Sequence, residues 1–360
     1  MLVGWRTIWS THRWAPFFRV IPVAILLVVP VCSAAVDTGI TRRTSGATVH
    51  SHQLIDLGDS TLLVSIQASP ATATINQQKT LTWLTSAARS VTTIYGHFPL
   101  RHTQILVTPV ASTSATKSPV IFGQVNRQPD LQVRFFVDPN QPLASYLSDW
   151  TAAHEFAHLM LPFINRDAAW LSEGIATYYQ YVARVRAGII SQQQAWNRLL
   201  AGLERGRHNS KNKTSLRQTS QQMHQQKSYM RVYWSGVVYA LSMDVQLRQQ
   251  TNNQQSLDQA LFHFYRCCLP SQRPWDGIEF LNKLDFLMAT TQFSENYHRY
   301  ANDQEFPLVT ELLNKLGVAS VNGSISLDDQ APLAFIRHQI MAVAVSPEAA
   351  LEPRPIAGQY

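Results

Sequence analysis

The chain has 360 residues, 45% of them hydrophobic and 15% charged, with 15 Gly, 18 Pro and 3 Cys. That length and apolar share suit one large domain or two modest ones, each with a buried core, and exclude a disulfide miniprotein, a collagen-like or linker protein and a disordered acidic tail. The formal charge is +7, but three arginines in residues 1–35 supply part of it, leaving 27 basic against 23 acidic residues; the densest basic run, Arg205 to Arg217, sits in a Gln, Ser and Asn-rich stretch that reads as a solvated loop, so no nucleic-acid partner is expected.

Residues 1–35 have the layout of an export signal: Arg6, Arg13 and Arg19, then the short apolar run 21–35 ending in small residues such as Ala34 and Ala35. A membrane span needs about 20 apolar residues, and this run is shorter and interrupted by Pro22 and Pro30. The expectation is an exported protein, periplasmic or secreted, with cleavage near residue 35. An uncleaved anchor, and hence membrane association through this segment, stays open, whereas bulky Val31 before Cys32 fits lipoprotein processing poorly.

Short alternating stretches between Gln53 and Ile66, bounded by Gly58 and Pro70, predict strands. Leu81, Leu84, Ala88, Val91 and Ile94 recur at helical spacing before the breakers Gly96 and Pro99. Strands are expected at Gln104 to Val110 and Leu131 to Val137, with a Ser, Thr and Pro-rich loop between them. From Ala144 helices dominate: 144–162, 168–187, 191–204, 231–250, 255–266, 277–289, 294–301, 307–316 and 332–342. A sheet of antiparallel type followed by helices is an α+β order. The expected division is a signal or anchor over 1–35, an N-lobe with the chemistry-bearing helices over 36–205, a helical C-terminal lobe over 206–345 and a disordered tail over 346–360. Cys267 and Cys268, adjacent and without other ligands at metal spacing, are expected to be inert thiols or a local bridge, not a zinc site.

The segment His154-Glu155-Phe156-Ala157-His158 is an HExxH pattern inside a helical window, with Leu147, Trp150, Ala153, Ala157 and Leu161 along one side. Two histidines four residues apart lie one turn apart on one helix face, so both imidazoles can reach one metal ion while Glu155 stands beside them. From the chain's own His and Glu content the pattern is expected by chance in only about 0.01 places. A water-activating zinc ion needs a third protein ligand and an open fourth position. Glu173, in Trp170-Leu171-Ser172-Glu173-Gly174, supplies that ligand from a second helix, fifteen residues beyond His158, and the loop from Pro162 to Ala168 is long enough to reverse the chain. The bland alternatives are two hydrogen-bonded histidines and a helix-start carboxylate. His50 and His52 form an alternating pair without a third ligand, and the other histidines have no ligand-like spacing.

HEFAH followed by WLSEGIATYY resembles the catalytic core of the gluzincin zinc metallopeptidases, in which two histidines and a downstream glutamate hold zinc. The segments IYGHFPLRHTQILVTPV, SLRQTS, VYWSGVVYALSMDVQLRQQT, SLDQALFHFY and FSENYHRYANDQEFPLVTELLNKLGV follow in the order of the glycyl aminopeptidase family and its aminopeptidase N relatives, over roughly residues 76–318. The resemblance implies a thermolysin-like catalytic domain, a small mixed sheet plus active-site helices, followed by a helical C-terminal region. It implies one zinc ion on His154, His158 and Glu173, Glu155 as general base, Tyr233 as oxyanion donor and a peptide or protein substrate. Thr177, one turn after Glu173, either supports that carboxylate or is a plain helix-face residue.

Three departures stand out. The family's Tyr-acid-Lys-Gly element becomes Tyr233-Trp234-Ser235-Gly236, and fourteen residues between His158 and Glu173 make a shorter interval than aminopeptidase N-like enzymes use. The length leaves no room for those enzymes' N-terminal β-domain, or for a PDZ module, at usual size. Their acidic element, which grips a free substrate amine, falls near Phe122-Gly123-Gln124-Val125-Asn126, where there is no carboxylate; Asp130 is the first one available. The expected enzyme therefore needs no free substrate N-terminus. Two other readings remain: a metallopeptidase-like binding or assembly protein of the cell envelope without activity, and a membrane-tethered scaffold with an incidental HExxH.

Overall fold

The computed structural model describes residues 49–67, 74–111, 118–128, 130–210, 213–321 and 324–343. The expected signal or anchor over 1–35 and the tail over 346–360 lie outside them. Strands β1 (Val49–Asp56) and β2 (Thr61–Gln67) pair antiparallel around Gly58, which takes the left-handed backbone (φ 87°) that glycine adopts without strain. Helix α1 (Gln77–Tyr95) starts where the Asn76 side chain accepts from the Lys79 amide and stops at Gly96. It carries the chain back to β3 (His102–Pro109), which lies parallel to β2 because a helical crossover intervenes. Strands β4 (Val120–Asn126) and β5 (Gln132–Val137) complete a five-stranded sheet in the order β1-β2-β3-β5-β4.

The sheet is therefore mixed, not of antiparallel type: β2, β3 and β5 run parallel, and the two edge strands run against them. β4 occupies part of the expected loop. It is an edge strand broken by Gly123 and flanked by polar residues, which leaves its alternation weak in the sequence.

The expected helix 144–162 is broken. α2 (Leu143–Ser148) ends at Asp149, whose backbone is extended (ψ 148°) and whose carboxylate accepts from the Thr151 amide at 2.7 Å. α3 (Thr151–Ala157) restarts there and tightens into a 3-10 turn from His158 to Met160. α4 (Ala169–Arg186) follows, then α5 (Gln192–His208), α6 (Leu216–Gln221), α7 (Met223–Gln226) and α8 (Tyr229–Gln250). The chain continues through α9 (Leu257–Cys268), α10 (Gly277–Met288), α11 (Gln292–Asn302), α12 (Thr310–Lys315), the hairpin β6 (Val318–Val321) and β7 (Ser324–Leu327), and α13 (Ala334–Met341). α6, α7 and the hairpin, which are not among the expected elements, are too brief for a period to register. Much of the basic run at 205–217 is helical, ending α5 and beginning α6, so it is not one solvated loop.

α3 packs on the sheet through Phe156, whose ring meets Phe135 of β5 at 6.0 Å and Phe98 at 5.3 Å. α4 and α8 cross at two glycines: a Cβ on Gly236 would fall 1.9 Å from the Trp170 carbonyl oxygen, and one on Gly174 2.2 Å from the Gly236 backbone. Beyond the crossing a buried ionic network ties these helices to α9. Arg186 pairs with Asp258 at 2.8 Å and Arg248 with Asp244 at 3.0 Å, and the Tyr179 and Tyr178 hydroxyls donate to the same two carboxylates. Pairing matters there, because removing one partner of a buried ion pair costs about 3–5 kcal/mol. Cys267 and Cys268 are bonded to each other, the local bridge. Among the described residues, no helix is long and apolar enough to cross a membrane.

Candidate metal centre

The i, i+4 spacing puts the His154 and His158 rings edge to face with centroids 4.7 Å apart, on adjoining turns where α3 passes into the 3-10 turn. α4, returning after the loop, brings Glu173 opposite them: its Oε2 lies 3.3 Å from His154 Nε2 and 3.4 Å from His158 Nε2, and the two Nε2 atoms are 3.1 Å apart. One ligand atom from each residue lies within 4.8 Å of the others, the one such grouping among the described residues. His52, by contrast, is exposed on β1 and meets the Ser65 hydroxyl.

The outward nitrogens have partners that the sequence reading missed. His154 Nδ1 donates to the Gln180 amide oxygen at 2.9 Å, deep in the core, and His158 Nδ1 meets the Ser172 hydroxyl at 3.1 Å. An amide oxygen only accepts, so Nδ1 carries a proton and Nε2 is the nitrogen turned inward toward Glu173, free to ligate when the ring is neutral. The available signal is the spacing: Gln180 stands seven residues after Glu173, two turns along one helix face. Thr177 is not the support considered for Glu173, since its buried hydroxyl bonds none of the described residues. Arg127, just beyond β4, donates to the carbonyls of His158 and Leu161 at 2.8 and 3.1 Å and so closes the C-terminal end of this segment. Burial pulls its guanidinium down to about 10.

Glu155 is buried beside the ligand group. A Cβ on Gly123 of β4 would stand 2.8 Å from Glu155 Cγ and 2.8 Å from Thr151 Cγ2, so the bare glycine lets the strand close on this side chain. Burial pushes Glu155 up to about 7, with His154 opposing the shift. Burial also raises Glu173, but the two histidines outweigh it and hold that carboxylate well below its usual range. His158 is lowered, by burial first; His154 is raised because its bond to Glu173 and the nearby carboxylates overcome burial.

Tyr233 of α8 lies flat over His154, rings 5.8 Å apart and 6° from parallel, close enough to Glu173 to feel its charge. Burial raises its pKa well above the usual phenol range, and the two glutamates add to this, so it stays a donor. Trp234 points the other way. Its ring fills the space over Gly202 of α5, where an added Cβ would fall 1.9 Å from it, and its Cβ stands over Gly206, where one would fall 2.5 Å away. Trp234 is thus a packing residue between α8 and α5, and Ser235 beside it is buried, its hydroxyl without a partner among the described residues.

The face of β4 turned toward α3 carries Gly123 and Val125, which pair with the buried Phe135 and Val133 of β5; Phe122, Gln124 and Asn126 pair with Phe136, Arg134 and Gln132 and lie on the opposite face. The residue facing α3 where an amine-binding acid is expected is therefore Val125. Asp130 is exposed in the turn between β4 and β5.

Residues 164–263 match the family model of the M61 glycyl aminopeptidases, a span that includes Glu173 and Tyr233 and begins after the two histidines. No curated protein sequence matches significantly. Among solved structures, an aminopeptidase N family protein from Idiomarina loihiensis superposes with a TM-score of 0.55 at 15% identity, over 74% of this chain and 49% of that one. An M1 zinc metallopeptidase from Deinococcus radiodurans aligns at 14% identity with a TM-score of 0.44, over 73% of this chain and 52% of that one. The chain thus spans about half the length of the solved structures it matches. It shares the fold of an aminopeptidase N family protein over 74% of its length, and within that fold residues 164–263 are similar to the M61 glycyl aminopeptidases.

Proposed function

We propose that this protein is an exported zinc peptidase of the gluzincin type, a thermolysin-like catalytic domain with a helical C-terminal lobe, hydrolysing peptide bonds with one zinc ion. Convergence of His154 Nε2, His158 Nε2 and Glu173 Oε2 carries the reading. The donor set fits that ion: both rings have their outward nitrogens engaged, and the three inward atoms are separated by 3.1–3.4 Å with the carboxylate ionised. His154, His158 and Glu173 would hold zinc, which when bound supplies a Lewis acid that makes water a nucleophile near neutral pH.

The chain's own groups do the rest. Glu155, beside the ligands and poised near 7, takes the proton of the attacking water and returns it to the leaving amine. Tyr233, held on the donor side by its raised pKa, donates to the oxyanion that develops on the scissile carbonyl. β4, at the sheet edge, offers unpaired backbone groups to an extended substrate. The order of charged, apolar and small residues over 1–35 supports export. Packing of Trp234 into α5, rather than into the site, weakens the alternative of an inactive binding protein. The test is metal analysis. The purified protein should hold about one zinc per chain, and His158→Ala or Glu173→Ala should remove it; retention in both variants contradicts the ligand set.

A further inference from the structure

Resting on that peptidase reading, we infer that Trp150 forms a subsite for a large apolar or aromatic substrate side chain next to the scissile bond. The chain breaks at Asp149, and Trp150 caps α3, its carbonyl accepting from the His154 amide at 3.1 Å; the indole is 39% exposed, with its ring edge-on to His154 at 5.6 Å. An exposed tryptophan against a metal-ligating histidine lies outside the machinery described above.

Its place around α3 says what can cover it. Phe156 faces β5, and the next stripe, Thr151 and Glu155, lies under Gly123 of β4. The stripe after that, in the same sense of rotation, is His158, His154 and Trp150, four residues apart. β4 is the last strand of the sheet, so a peptide added to its free edge lies over this third stripe. The carbonyl of such a peptide sits at the histidines, and a neighbouring side chain falls on the indole.

The test compares zinc-loaded wild type, Trp150→Phe and Trp150→Ala on a pool of blocked peptides, with cleavage sites read by mass spectrometry and zinc content measured in each. Wild type should favour Phe, Tyr, Trp or Leu on one side of the cut over Ala by about tenfold or more, the range of a well-filled apolar pocket. Trp150→Phe should keep most of that preference, and Trp150→Ala should lose it with zinc content unchanged. Equal loss on every peptide, or falling zinc content, makes Trp150 a prop for His154 and overturns the subsite. So does an unchanged preference in Trp150→Ala. If wild type cuts nothing, the peptidase reading fails separately. Titrating the Glu155→Gln protein, with and without Trp150→Ala, with acetylated peptides bearing a central Phe or Asp still decides the subsite. It stands if Trp150→Ala weakens only the Phe peptide and falls if it weakens both or neither.

Discussion

At the scale of single residues the account turns on Glu155. It is buried under Gly123, raised to about 7, and adjacent to the proposed ligands without being one of them. Glu155→Gln should keep its zinc and lose hydrolysis, because an amide cannot accept the water proton; metal content and turnover measured on one preparation separate the two effects. Tyr233→Phe should retain zinc and lower turnover by about 10²–10³, the loss expected for one oxyanion donor. Undiminished turnover would reduce Tyr233 to packing on His154. The histidine pair and Glu155 were legible in the sequence because an i, i+4 pair on a helix shares a face whatever surrounds it. Gln180 and Ser172 were not. They bond the outward imidazole nitrogens, and which side chain meets which nitrogen depends on how α4 is rotated against α3.

At the scale of elements the site depends on how closely α4 approaches α8. Gly174 follows Glu173 directly and Gly236 is one turn beyond Tyr233, so the glycine contact sets the separation between a ligand and the proposed oxyanion donor. Glycine in a helix costs about 1 kcal/mol relative to alanine, and here it allows backbone to touch backbone. Gly236→Ala, whose new carbon meets a carbonyl oxygen at 1.9 Å, should destabilise the protein by about 3 kcal/mol, toward the upper end of the overpacking range. Denaturant unfolding measures this, and a change below about 1 kcal/mol would show that the helices part freely. The long helices were legible from periodicity, α4, α8 and α10 within a few residues of their bounds. The break between α2 and α3 was not, because Leu147, Trp150, Ala153 and Ala157 keep helical spacing across it. Asp149 competes locally by accepting from the Thr151 amide, and that bond stops one helix and starts the next.

At the scale of the whole molecule, a mixed sheet places β4 at its edge beside α3, and the helices after α4 hold Tyr233 over the same centre from the other side. The α+β order and the helical second half were readable from composition and period, whereas strand direction was not, because it is set by the α1 crossover. β4 turns Gly123 and Val125 toward α3 and offers no carboxylate there. An ammonium brought into that desolvated space without a partner costs several kcal/mol, so an N-acetylated peptide should be cut no more slowly than its free form. Removal of single residues from free N-termini alone would contradict this and assign the grip to Asp130 or another acid. Zinc-dependent peptide hydrolysis itself is tested most directly by incubating the purified protein with a mixed peptide pool as isolated, after chelation, and after zinc is restored, with Glu155→Gln in parallel. The account predicts internal cleavage products that disappear on chelation, return with zinc and are missing from the Glu155→Gln sample. Products that persist without metal, or that Glu155→Gln makes equally well, would contradict it, as would an intact pool in the presence of bound zinc.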